Sequence, residues 1–309
     1  MIMSSCKVFL ERCAYCGPAL PDLLARLAPG LGLVDDLRGM RVLMKPNLIS
    51  VRGPKLACTD PRFIVAVAKL LVDRGAVVSL GDSPAFGSAA AVIGHLGLQT
   101  ALHDLGVKVV EFANPRIFTV EGGIRVGVAR EALDCDLLVN LPKIKAHSQM
   151  FVTIAVKNIF GVVKGVRKPL LHMRYGDSPR RFSGIILDLM KLLPAHITIA
   201  DGIKVMHVCG PLRGKSLDLG CVAGSADPLA VDTAMLAALE LSAEKSPLWQ
   251  AAAERGYQGA DLKNIRFPFL QPEDFYGSGF MAPDDLSPIR FNPFRFFRGT
   301  MRRILLAFR

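Results

Sequence analysis

The stretch "DLLVNLPK" (136–143) is an apolar run stopped by a proline and followed at once by lysine. Read alone, it is a strand that ends at a turn. Its neighbours turn that reading into a fold. "RVLMKPN" (41–47) and "AVVSLGDSP" (76–84) repeat the pattern, and "VKVVEF" (107–112), "HITIADG" (196–202) and "LDLGCVAGS" (217–225) add further strands. Between them, "PRFIVAVAKLLVDRG" (61–75) is a helix opened by proline and closed by glycine. Helices are also expected over 88–104, 149–160, 179–193, 228–242 and 246–256. "IFTVEGGIRVGV" (117–128) alternates about Gly-Gly as a hairpin does. Strands alternating with helices predict an α/β fold, a largely parallel doubly wound sheet flanked by helices, with a small hairpin insertion. Residues 1–265 form the α/β domain in this reading, and residues 266–309 a C-terminal extension with a basic, aromatic tail.

The chain has 309 residues, 51% of them hydrophobic, which is ample for a large core. Its formal charge of +11 favours anionic partners. No secretory signal and no convincing transmembrane span is visible, so the expected location is the cytoplasm, with peripheral attachment at a membrane as an option for the tail. Seven scattered cysteines, an odd number, argue against a disulfide scaffold. Cys13 and Cys16 in "CAYC" form one close pair with no second pair to complete a ferredoxin-type cluster motif, and no metal ligands are assigned.

The strand ends carry the polar residues. Asn47, Asp82, Lys143 and Asp201 each fall just past an apolar run, where open α/β sheets bind ligands. Taken singly, each is as well explained as a turn or cap residue. The segment "LPKIKAHSQMFVTIAVKNIFGVVKGVRKP" (141–169) adds the charge: from Lys143 to Arg181 there are nine Lys/Arg and one acid, Asp177. Such a cluster is costly unless solvated or matched by an anion. Lys143, Lys145 and His147 share one face if the chain is extended. Asn47, Lys143, Lys145, Lys157, Asn158 and Lys164 are therefore the candidate ligand-binding residues. Lys157 and Asn158 have the alternative of closing a helix, where the macrodipole favours a cation. Asp82 and Asp201 are candidate catalytic carboxylates, and His147 and His172 are candidate proton-transfer groups because imidazole titrates near neutrality. The spacings of a Walker A loop, a dinucleotide fingerprint, a zinc protease and an α/β-hydrolase are absent.

In order along the chain stand "MKPNL", "GDSP", "LPKIKAH", "VKNIFG", His172, "ADG" followed by "GPLRGK", and "DPLAVD". This ordered set resembles the prokaryotic family known as domain of unknown function 362, over roughly residues 7 to 242. The resemblance implies a shared α/β domain and a shared site. Many relatives resemble this domain joined to a ferredoxin-type iron–sulfur module, which this chain lacks. The resemblance therefore implies an iron–sulfur protein as a partner and leaves the cofactor unknown.

The tail, "SPIRFNPFRFFRGTMRRILLAFR", carries six arginines and no acid. On a helix, Phe294, Phe297, Met301 and Phe308 form an apolar stripe beside Arg295, Arg298, Arg302 and Arg309. Such a tail suits an anionic membrane surface through Phe294–Arg309, a protein partner, or packing on its own domain. Nucleic acid is disfavoured because no base-reading motif accompanies the charge. The functional expectation is a cytoplasmic α/β protein that binds a small phosphate- or carboxylate-bearing metabolite in a strand-end crevice and acts by proton transfer. The alternative is a non-catalytic redox or assembly protein docking an iron–sulfur partner.

Overall fold

The computed structural model describes residues 6–164 and 178–286. Its strands, in chain order, are β1 (Cys6–Lys7), β2 (Phe9–Arg12), β3 (Arg41–Pro46), β4 (Val77–Leu80), β5 (Lys108–Val109), β6 (Arg116–Val120), β7 (Ile124–Val128), β8 (Leu137–Leu141), β9 (Lys143–His147), β10 (Phe151–Thr153), β11 (His196–His207), β12 (Lys215–Ser225) and β13 (Ile265–Arg266). The helices are α1 (Ala19–Leu27), α2 (Pro61–Asp73), α3 (Ala89–Leu96), α4 (Gln99–Asp104), α5 (Arg130–Leu133), α6 (Ala155–Ile159), α7 (Pro179–Leu192), α8 (Pro228–Ala238) and α9 (Pro247–Glu254).

The main sheet runs β5-β4-β3-β8-β11, with β12 and then β2 on the far side of β11. The pairings among β5, β4, β3, β8 and β11 are all parallel, whereas β12 and β2 join antiparallel. The expected mostly parallel α/β sheet is what forms, and β6 pairs β7 as the separate hairpin.

Alternation along the strands distributes side chains to two layers. Val42, Met44, Val139 and Leu141 join one apolar cluster with α1, α2 and α3, while Leu43 and Leu138 join another with α6, α7 and α9. Lys45 and Asn140 lie two residues beyond Leu43 and Leu138, on the second face, and both are buried. Residues after 265, set apart in the sequence reading, supply Phe275 and Phe280 to a third cluster over β9–β12 and α8. Phe269 also stacks edge-on against Phe9, with ring centroids 5.3 Å apart.

Two features position the site. The chain winds from β3 outward to β4 and β5, then returns to the other side of β3 as β8. The topological switch therefore lies between β3 and β8, the place where such sheets open a crevice. Second, Pro142 ends β8 and the chain resumes as β9. β11 pairs with β8 at its start and with β9 farther on, while β3 follows β8 only to Leu141. The sheet thus forks at Pro142, beyond the ends of β3 and β8.

The expected helix over 149–160 is in fact a strand and a short helix. Phe151, Val152 and Thr153 pair antiparallel with His147, Ala146 and Lys145, and the helix is confined to α6. The pairing with β9 satisfies this backbone in a way that the apolar periodicity does not reveal. Asp232 of α8 starts α6 by accepting hydrogen bonds from the backbone N–H groups of Ala155 (2.7 Å) and Val156 (3.2 Å). Burial pushes this carboxyl up to about 7, against those two hydrogen bonds, with Asp227 adding to the rise. The folded state therefore favours protonated Asp232. Its contribution to stability is complete below the unfolded value, about 4, and declines as pH rises toward 7. The variant Asp232→Asn keeps an acceptor for both N–H groups. Its melting temperature is expected to fall less than that of the wild type between pH 4.5 and pH 7.5; parallel curves would contradict the assignment.

Candidate functional site

At the fork, three lysines are withdrawn from water. Lys45, Lys143 and Lys145 have at most 1% of their surface exposed. Two of them meet carboxylates. Lys45, from the end of β3, pairs with Asp82, just past β4, at 2.8 Å. Asp82 also accepts the Leu48 N–H at 2.8 Å. Burial lowers the proton affinity of Lys45, and Asp82 opposes that. Asn158 of α6 braces the pair: its Oδ1 accepts from Lys45 at 3.4 Å and its Nδ2 donates to Asn140 Oδ1 at 2.8 Å.

Lys143, the first residue of β9, pairs with Asp201 of β11 at 2.8 Å and donates to the Tyr15 hydroxyl at 2.7 Å. The Tyr15 hydroxyl lies 2.5 Å from the other Asp201 oxygen, and Asp201 accepts the Asp60 N–H at 2.9 Å. Burial, then Asp201, push the Tyr15 phenol upward, so it stays protonated and donates. The Arg62 guanidinium covers the Tyr15 ring, 4.3 Å from its centroid.

Lys145 differs. Its described hydrogen-bond partners are neutral oxygens, Asn47 Oδ1 and the Ala57 carbonyl, the latter at 2.5 Å. Burial brings its pKa down to about 7; the neighbouring Lys143 and Lys45 push the same way, against Cys58 and Asp82. Asn47 is held for this task because its backbone exchanges hydrogen bonds with Thr59, whose hydroxyl donates to the Leu141 carbonyl at 2.7 Å.

A cavity of about 300 Å³ adjoins this array at Lys143 and is otherwise lined by Lys55, Cys58, Asp60, Arg62 and Lys204, with Leu56 and Pro61. Four of these are cations and one is an acid. Arg62 is tied to Asp60 at 2.9 Å, and burial, which alone would raise Asp60, is outweighed by that guanidinium, which lowers it.

The structure brings together Asn47, Asp82, Lys143, Lys145, Asn158 and Asp201. His147 follows on the same strand, buried, with Nδ1 accepting from the N–H groups of Gln149 (3.1 Å) and Met150 (3.3 Å). A neutral His147 therefore carries its proton on Nε2. Lys157 is placed elsewhere: its ammonium lies over the rings of Phe160 (5.1 Å) and Phe182 (5.8 Å), near the end of α6. Lys164 is tied to the hairpin by its N–H, which donates to the Gly127 carbonyl at 3.1 Å. His172 and the tail Phe294–Arg309 lie outside the described residues. Among the described residues, no group of three His, Cys, Asp or Glu side chains is placed to hold a metal ion, and no helix is long and apolar enough to cross a membrane.

Tyr15, Lys45, Cys58 and Arg62 were not among the sequence candidates. Tyr15 sits between the two cysteines of "CAYC", where attention goes to the thiols, and Lys45 reads as part of an apolar strand.

Lys45, Asn47, Asp82, Lys143, Lys145, Asn158 and Asp201 lie in the segments on which the family resemblance rests, and the family model for domain of unknown function DUF362 matches residues 42–237. The chain belongs to that family. A thylakoid-associated protein of Synechocystis sp. is 34% identical over 295 residues, covering 94% of this chain and 92% of its own length. Among solved structures, the lactate racemase apoprotein from Thermoanaerobacterium thermosaccharolyticum aligns over 74% of this chain and 55% of its own, at 13% identity and a TM-score of 0.45. A Thermotoga maritima protein aligns over 68% and 55%, at 13% identity and 0.42.

Gly161 tests how tightly the array of this DUF362 chain is packed. A Cβ at this position would collide with Asp82 Oδ1 and Lys45 Nζ together. Replacing Gly161 by alanine is expected to part the Lys45–Asp82 pair and to destabilise the fold by about 3 kcal/mol, as breaking a buried pair does. Urea unfolding measures this; a loss below about 0.5 kcal/mol would show that the pair yields freely.

Proposed function

We propose that this protein is an enzyme that binds a small phosphate- or carboxylate-bearing metabolite in the cavity beyond β3 and β8, and acts on it by proton transfer. One observation carries the reading: Lys145 is a buried amine whose described hydrogen-bond partners are both neutral, held behind a turn whose Leu56 and Cys58 line a cavity with a cationic rim. A buried ammonium without a counter-charge costs several kcal/mol. That cost is met by giving up the proton or by admitting an anion, and a site that does both couples binding to proton transfer. The topological switch supports the same location.

Arg62 and Lys204 reach solvent, so replacing them tests binding with little effect on folding. Inorganic phosphate and acetate serve as probes in isothermal titration. The wild type is expected to bind at least one of them, more weakly as salt rises, and Arg62→Ala/Lys204→Ala to bind roughly tenfold or more weakly. Saturable binding that is equal in both proteins would overturn the location, and no saturable binding would overturn the reading.

A second reading is carried by the relative described as thylakoid-associated. The basic tail, Phe294–Arg309, would hold the chain at an anionic membrane surface, where an iron–sulfur protein is the partner that the family resemblance implies. Its signature is flotation with anionic vesicles, lost on removal of residues after Pro293, and stoichiometric iron in complexes isolated without oxygen.

A further inference from the structure

Lys145 is placed for more than charge balance. A neutral primary amine has two N–H bonds and one lone pair. The Asn47 side-chain oxygen and the Ala57 carbonyl accept two hydrogens from Lys145, and both are acceptors only, so neither competes for the lone pair. The geometry thus presents a nucleophilic nitrogen whose N–H groups are already occupied. Two further lysines and a carboxylate define its surroundings: Lys143 on its own strand, and Lys45 with Asp82 across the fork; Cys58 faces it from the 55–58 turn. Cationic neighbours and burial are what keep an amine unprotonated near neutral pH and able to attack carbon.

We propose that Lys145 is a covalent catalytic residue that forms an imine with an anionic carbonyl compound, an oxo acid or a phosphorylated aldehyde or ketone. This rests on the anion-binding reading above and names its substrate class. The substrate's anionic group sits among Arg62, Lys143 and Lys204, and its carbonyl carbon points inward past Cys58. The 55–58 turn, which carries the Ala57 carbonyl, lies between amine and cavity, so imine formation requires that turn to open, and Asn47 is then the acceptor that keeps its hold on the amine. The Lys145 nitrogen bonds to the carbonyl carbon, and a proton passes from nitrogen to the carbonyl oxygen to give a carbinolamine. That hydroxyl then leaves as water, taking one proton, while the nitrogen loses its second hydrogen as C=N forms. Amine and carbonyl become imine and water, with no change in oxidation state. The imine then draws electrons from the adjacent carbon, so a proton there is removed more easily.

The test uses the full-length wild-type protein, reductive trapping and peptide mass spectrometry. Glyoxylate is the anionic carbonyl probe and formaldehyde the uncharged one, each with sodium cyanoborohydride at pH 7. The hydride reduces the imine to a stable secondary amine on the lysine that formed it. With glyoxylate, Lys145 is expected to be trapped at least roughly tenfold faster than the solvent-exposed Lys69. Inorganic phosphate in excess is expected to slow that trapping. If neither probe marks Lys145 while Lys69 is marked, the covalent role is overturned, whatever the phosphate titration shows. If formaldehyde marks Lys145 and glyoxylate does not, the amine is reactive but the anionic substrate class is wrong, and the inference falls with the anion reading.

Discussion

Three lysine side chains buried at one place, faced by the carboxylates Asp82 and Asp201, set the terms for the rest of the site. Coulomb repulsion and lost hydration both oppose such an arrangement. The chain answers with geometry. Each of two lysines is given a carboxylate at 2.8 Å. Asn158, Asn140, Tyr15 and the backbone N–H groups of Leu48 and Asp60 then satisfy the remaining polar atoms. Lys145 alone is matched by neutral oxygens, so it is the group that relieves the excess charge by giving up its proton.

The fold explains why this is the place. The return of β8 beside β3 opens the sheet, and Pro142 starts a second strand that follows β11 instead of β3. Lys143 then stands in register beside Asp201 in the β9–β11 pairing, and Lys145 reaches the 47–57 segment on the side that β9 leaves unpaired with β3. Gly161 lets α6 and its following turn settle directly on the Lys45–Asp82 pair. Packing, charge and topology therefore meet within a few residues.

Much of this was legible in the sequence. Apolar runs ended by Asn47, Asp82 and Lys143 located the ends of β3, β4 and β8, whereas Asp201, expected just past a strand, lies inside β11 because that strand continues to His207 beside β9 and β12. The basic segment located Lys143 and Lys145. The remainder was hidden for identifiable reasons. The burial of Lys45 follows from strand alternation beside Leu43, yet nothing local distinguishes a buried lysine from one at a solvated strand end. Tyr15 comes from a segment far away in sequence, brought in by the pairing of β2 with β12. Phe151–Thr153 forms a strand because β9 offers it a partner, a non-local contact that overrides a helical pattern. Lys157 followed the simpler account, a cation near a helix end against aromatic rings.

The account stands or falls on the protonation of Lys145. An amine lowered in this way binds fewer protons folded than unfolded between about pH 7 and its ordinary value, so this group makes the fold more stable as pH rises through that range. NMR of protein carrying carbon-13 at the lysine ε position, assigned with Lys145→Met or Lys145→Arg, reads the titration directly. The account predicts that Lys145 titrates near pH 7, well below the ordinary lysine value of about 10.4. A Lys145 signal that titrates near that ordinary value would contradict it.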